Sequence, residues 1–242
     1  MKKLVLSTLT LGVSALCASQ ATAQTVTVDP TTLTSGFMNV FNITGSPGQG
    51  IAAAGAYQFG SGWGVADLTS SFSGSTVTLG PNQINDPSSY WYTPAGGPGA
   101  VGNKIMDANL YNETTGTYVG TTLNFSGDVL ANSLLSGQNQ LGEGWTSVAF
   151  IKDFAPDYSS STTTTTPLTL GAFSISQLTS ANPGDHIQYG FETIGPDVWS
   201  TDVGPFGNIV IAPNTVVPEP ATWAWAGSGS LLLLSMIRRR NK

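Results

Sequence analysis

Cysteine and histidine are almost missing from this 242-residue chain, which holds one of each, Cys17 and His186. One cysteine excludes an internal disulfide, and the two counts together exclude the thiolate or multi-histidine ligand sets that zinc takes. No Gly-x-Ser-x-Gly elbow accompanies His186, so the residue types of a hydrolase triad are not assembled. Positive charge is scarce as well. Six of the eight Lys and Arg (Lys2, Lys3, Arg238, Arg239, Arg240 and Lys242) lie at the two ends, leaving Lys104 and Lys152 between Gln24 and Val217. The same stretch carries 13 of the 14 acidic residues, so two cations against 13 anions give −11 where the whole chain has −6. Such a field disfavours nucleic acid and anionic membrane surfaces and favours solubility. Apolar residues at helical spacing are also rare in this stretch, so helices are not expected to dominate it. Gly60–Gly64 is followed by neither lysine nor a helical pattern and is no phosphate loop.

What is present is alternation. Met106, Ala108 and Leu110 alternate with Asp107 and Asn109, and Ile187, Tyr189 and Phe191 with Gln188, Gly190 and Glu192. Val77 and Leu79, Leu123 and Phe125, and Phe173 and Ile175 repeat the pattern, with Trp145–Phe154 and Gly207–Ala212 completing the set. Period two between turn residues such as Asn182-Pro183-Gly184-Asp185 and Gly195-Pro196-Asp197 predicts antiparallel strands. About eight strands without crossover helices predict an all-β, two-sheet sandwich of jelly-roll type over residues 24–212, followed by a linker at 213–216. Ile51–Phe59 fits a strand or one helical turn. Pro94-Ala95-Gly96-Gly97-Pro98-Gly99 is a loop, and the eight hydroxyl residues Ser159–Thr166 predict a loop between strands.

Candidate chemistry is sparse. Asp153 with Asp157, and Asp197 with Asp202, are carboxylate pairs of the kind glycoside hydrolysis uses. The same oxygens suit Ca²⁺, although no calcium-loop motif is present. Trp91, Tyr92 and Trp199 lie in turn-like sequence and are the candidate glycan contacts, because exposed rings stack on sugar faces. The competing expectation for each ring is a plug in the core.

The two ends carry addresses. Met1-Lys2-Lys3, the apolar Leu4–Leu16 and the small-residue site Ala21-Thr22-Ala23 before Gln24 predict a signal peptide over 1–23, with the Sec translocon and signal peptidase as partners. Leu16 before Cys17 does not suit a lipoprotein cut. At the other end, Val217-Pro218-Glu219-Pro220 precedes the apolar Ala221–Ile237 and the basic Arg238-Arg239-Arg240. As a helix the 17 apolar residues span about 25 Å, close to a bilayer core. The arginines would hold its end on the cytoplasmic side. The prolines keep that helix from extending back.

This tail, 217–242, resembles the PEP-CTERM sorting signal of Gram-negative bacteria. The resemblance covers about a tenth of the chain and leaves the body unassigned. It implies that a membrane exosortase recognises Pro218-Glu219-Pro220, cuts nearby, and passes the protein from an inner-membrane intermediate to the cell surface or matrix. It also implies a setting of exopolysaccharide and biofilm. The expectation is an exported, non-catalytic surface or matrix protein that binds glycan, without cofactor. The alternative is an extracellular carbohydrate-active enzyme using the carboxylate pairs. Removing Val217–Lys242 should leave the protein unprocessed in the periplasm or medium, as cell fractionation would show; normal surface display of the tailless form would refute the sorting role.

Overall fold

The computed structural model describes residues 23–43, 54–64, 70–135 and 144–214. The expected signal helix with Ala21, the Val217-Pro218-Glu219-Pro220 motif, the apolar span and Arg238, Arg239 and Arg240 lie outside the described residues. Within them the chain is mostly β. The strands are β1 (Ala23–Thr27), β2 (Ser35–Ile43), β3 (Ala54–Trp63), β4 (Ser70–Ser73), β5 (Thr76–Leu79), β6 (Tyr92–Thr93) and β7 (Val101–Gly102). They continue as β8 (Lys104–Thr115), β9 (Thr122–Asn132), β10 (Thr146–Phe154), β11 (Ser161–Pro167), β12 (Gly171–Leu178), β13 (His186–Pro196) and β14 (Ile209–Ala212). Among the described residues a 3-10 turn at Gly204–Phe206 is the one helical piece, and no helix is long and apolar enough to cross a membrane.

Two six-stranded sheets result, with β6 and β7 forming a small ribbon. The first sheet has the order β11-β10-β13-β8-β2-β3 and is antiparallel throughout. In the second, β12 lies along one edge of β9. The other edge is shared by β1, which runs parallel to it, and β14, beyond which come β5 and β4. From β8 onward the chain changes sheet at every connection except β10 to β11.

Alternation explains how the sheets meet, because successive side chains of a strand point to opposite faces. Leu110, Ile151, Ile187, Tyr189 and Phe191 from the first sheet join Val77, Leu123, Phe125, Phe173, Ile175 and Ile211 from the second in one apolar core. Phe125 sits at its centre, with ring centroids 5.4 Å from Tyr189, 5.7 Å from Phe191 and 5.6 Å from Phe173. A second cluster lies under β2 and β8. There Met38, Val40, Met106 and Ala108 are covered by Ile84, Trp91 and Tyr92 from the excursion between β5 and β8. Asn82 fastens that excursion, donating to the carbonyls of Met106 (2.9 Å) and Thr193 (3.0 Å).

Two sequence expectations fail here. The Ser159–Thr166 run is not a loop: Ser161–Pro167 forms edge strand β11, paired with β10 from Phe154↔Ser161 to Val148↔Pro167. Threonine is β-branched and suits an extended backbone even where no apolar period marks the strand. Nor is Gly195-Pro196-Asp197 a turn, since β13 stays paired through Pro196↔Ile105. The uncertain Ile51–Phe59 segment contributes to β3 from Ala54 onward. Phe125→Ala should cost about 3–5 kcal/mol, because it empties the contact between the sheets; urea unfolding of the variant against the native chain measures this.

Candidate functional site

The outer face of the first sheet carries an arrangement of rings and polar groups that suits a ligand. In β8 the outward phase is Asp107, Asn109, Tyr111 and Glu113, opposite the inward Met106, Ala108 and Leu110. Register brings neighbours into rows. Phe37 lies beside Asn109 and Asn39 beside Asp107; across β13, Gly190 faces Tyr111 and Phe150, while Gln188 faces Glu113 and Lys152. Phe37, Asn39, Asn109, Tyr111, Glu113, Lys152 and Gln188, with Phe154 and Tyr158, line an open depression of about 510 Å³.

The polar groups of this face hold one another in place. Lys152 Nζ bonds Asn109 Oδ1 (2.6 Å) and pairs with Glu192 (2.8 Å). Asp107 accepts from Asn39 (3.2 Å) and Asn109 (2.9 Å). Burial, followed by the charge of Glu192, holds its carboxyl above the ordinary range. Glu113 accepts from Gln188 (2.5 Å) and from the Tyr158 hydroxyl (2.9 Å). Burial and the nearby Glu113 raise the pKa of Tyr111, so it remains a neutral phenol.

Two features keep rings available on the face. A Cβ on Gly190 would lie 2.1 Å from Leu110 O and 2.9 Å from Tyr111 Cβ, so only glycine leaves room for Tyr111 there. Tyr158 holds a left-handed backbone (φ 57°), which costs a non-glycine residue about 1–2 kcal/mol. Its ring stacks on His186 at 4.3 Å and remains 49% exposed. His186 itself bonds Thr115 Oγ1 (2.8 Å) and the Pro156 carbonyl (3.2 Å), an orienting role at a strand start. By contrast, the outer face of the second sheet carries rows of short polar side chains such as Thr25-Asn124-Ser176 and Thr27-Ser126-Ser174, with Leu178 exposed in the same phase of β12.

The sequence pointed to other rings. Trp91 is 6% exposed and Tyr92 fully buried, the Tyr92 hydroxyl donating to Ile84 O at 2.5 Å. Trp199 packs edge-on against Tyr92 at 5.4 Å, and Gly96 lies against its ring, where a Cβ would come within 2.6 Å. Trp91 and Tyr92 are buried in the second apolar cluster and offer no face to a sugar, while Trp199 is half-buried and packs against that cluster. The overlooked residues are Phe37, Tyr111, Phe154 and Tyr158. For Tyr111 and Phe154 the signal was phase: Tyr111 shares the outward phase of Asp107 and Glu113, and Phe154 that of Lys152.

Neither carboxylate pair lines a sugar-sized cleft together. Asp157 caps an exposed turn through Ser159 N and Oγ, and the depression that Asp153 lines does not include it. Asp197 and Asp202 do border one cavity, but its volume is about 40 Å³, room for a water and not a sugar. Ala23 and Gln24 begin β1, paired with Thr122 and Leu123. Among the described residues no three His, Cys, Asp or Glu side chains come together as a metal cluster.

Asp197 has a different consequence. It is 1% exposed, its Oδ1 accepts from Lys104 N (2.9 Å), and its Oδ2 has no partner. Burial pushes its pKa from 3.8 up to about 7. Below pH 4 the carboxyl is neutral folded or unfolded; between about 4 and 7 it ionises in the unfolded chain first, so folding loses stability as pH rises. A shift of this size corresponds to roughly 4 kcal/mol. The stability difference between Asp197→Asn and the native chain should therefore grow in the variant's favour from pH 4 to 7 and then level off, as urea unfolding across that range would show. No protein-family model, curated protein or solved structure matches this chain, so its site stands on its own geometry.

Proposed function

We propose that the chain is an exported, exosortase-processed matrix protein whose β domain binds a neutral polysaccharide across the outer face of β2, β8, β13 and β10, without catalysis. The alternation of strands between two sheets around one core supports a sandwich of jelly-roll type. Secretion and surface delivery rest on the two terminal segments, which resemble a signal peptide and a PEP-CTERM tail. Exosortase, the Sec translocon, signal peptidase and exopolysaccharide are the partners this reading calls for.

The observation that carries the binding role is the interleaving of Phe37, Tyr111, Phe154 and Tyr158 with amides and carboxylates over one open face. Pyranose rings present apolar C–H faces that pack on aromatic rings, while amide and carboxylate groups take their hydroxyls. Charge narrows the ligand. Asp107, Glu113 and Glu192 outnumber Lys152, so a uronate-rich or sulfated chain would be repelled and a neutral glycan accepted. The carboxylates of this face are tied up as acceptors from Asn39, Asn109, Gln188, Tyr158 and Lys152, which favours binding over acid–base turnover.

Affinity electrophoresis of the full chain in neutral and in uronate polysaccharides tests this. Retardation is expected in a neutral glycan only. Tyr111→Ala and Tyr158→Ala should each weaken it roughly tenfold, the scale of an anchoring side chain. Leu178→Ala, exposed on β12 of the other sheet, should leave it unchanged. Equal retardation of all three variants would remove the site.

A further inference from the structure

At the end of the first sheet, two acids share a depression with no cation to face them. Asp153 closes the inward side of β10 and is 7% exposed; Asp185 ends the turn before β13 and is 4% exposed. Oδ2 of Asp153 accepts from Ser180 N at 2.7 Å. Its Oδ1 is shut off from solvent and has no hydrogen-bond partner. The Asp185 backbone is engaged, with N donating to Asn182 O (3.1 Å) and O accepting from Gly116 N (3.2 Å). Its carboxylate enters no hydrogen bond or ion pair among the described residues. Both acids line a hollow of about 370 Å³ whose other walls include Asn182, Ser160 and Thr162, and no Lys, Arg or His.

An unpartnered buried carboxylate oxygen is costly, and a second acid beside it adds repulsion. We infer that Asp153 and Asp185 bind Ca²⁺ at this end of the sheet, with Asn182, neighbouring hydroxyls and water completing the oxygen shell. The donor chemistry decides the ion. All available ligands are hard oxygens, which suit Ca²⁺ and not thiolate- or imidazole-seeking metals. Two carboxylates supply fewer charges than a high-affinity calcium loop, which places the affinity with extracellular modules, roughly 10⁻⁴–10⁻³ M. The ion would join the β10–β11 connection, the start of β11 and the turn before β13 at one point.

The test is calorimetric titration of the metal-free full chain with CaCl₂, with thermal melts in about 10 mM Ca²⁺ or excess chelator, in a range suited to weak oxygen sites. One saturable site and a rise in Tm on the order of 5 °C, reversed by chelator, are expected. Asp185→Asn and Asp153→Asn should each weaken binding at least tenfold and abolish the Ca²⁺-dependent rise. Asp185→Asn also removes the charge repulsion, so its metal-free melt should match or exceed that of the native chain, separating lost binding from lost folding. Absence of heat and of a Tm shift in the native chain would overturn the assignment, as would a calcium response retained in both variants. No polysaccharide enters the measurement, so its outcome is independent of the glycan face.

Discussion

The two sheets of this protein are held together by apolar side chains in contact, and little else is available to do it. There is no disulfide, because the chain has one cysteine outside the β domain, and the domain has two lysines and no arginine with which to build ion pairs. The weight falls on the core in which Phe125 from β9 meets Tyr189 and Phe191 from β13. Each such ring contributes on the order of 2–3 kcal/mol by leaving water. With many acids on the surface and few cations to offset them, self-repulsion opposes compaction, so this apolar contact must exceed it. The second cluster does the same for the far end of the first sheet. The excursion bearing Trp91 and Tyr92 folds under β2 and β8 there, and Asn82 ties it to two strand carbonyls.

How much of this was legible in the sequence depended on whether a segment had a phase. β8, β9, β12 and β13 alternate cleanly, and their inward residues can be read directly from period two. β11 has no phase to read, since every position is a hydroxyl residue until Pro167, and composition alone suggests a loop. Its strand character comes from pairing with β10, a tertiary fact. The aromatic residues misled for a related reason. Trp91 and Tyr92 sit in Gly- and Pro-rich sequence, which suggests exposure, yet an irregular excursion can bury large rings as well as a strand can. Tyr111 and Phe154 carried the better signal: an aromatic ring in the solvent phase of a strand has no core to fill. Tyr158 could not have been found this way, because its position depends on a left-handed backbone and on stacking against a histidine 28 positions later.

The candidate glycan face and the acidic hollow are two answers to one surplus. With so few cations, carboxylates must find neutral donors. On the outer face they do: Asn39, Asn109, Gln188 and Tyr158 supply N–H and O–H groups, and the network becomes a fixed platform between rings. At Asp153 and Asp185 the supply of donors ends with Ser180 N, and an oxygen is left over. The two places thus differ in one respect: the first is a satisfied network and the second an unsatisfied pair.

The placement of the two lysines carries a last consequence, for resistance to proteolysis. Trypsin-like proteases need a Lys or Arg side chain presented on extended, accessible backbone, most often at loop tips. Between Gln24 and Val217 the chain offers only Lys104 and Lys152, and both lie in strands. Lys104 is 5% exposed with its ammonium over the Tyr90 ring, and Lys152 is clasped by Asn109 and Glu192. The folded domain therefore displays no cleavage point to that class of enzyme, a durability that comes from what its surface omits.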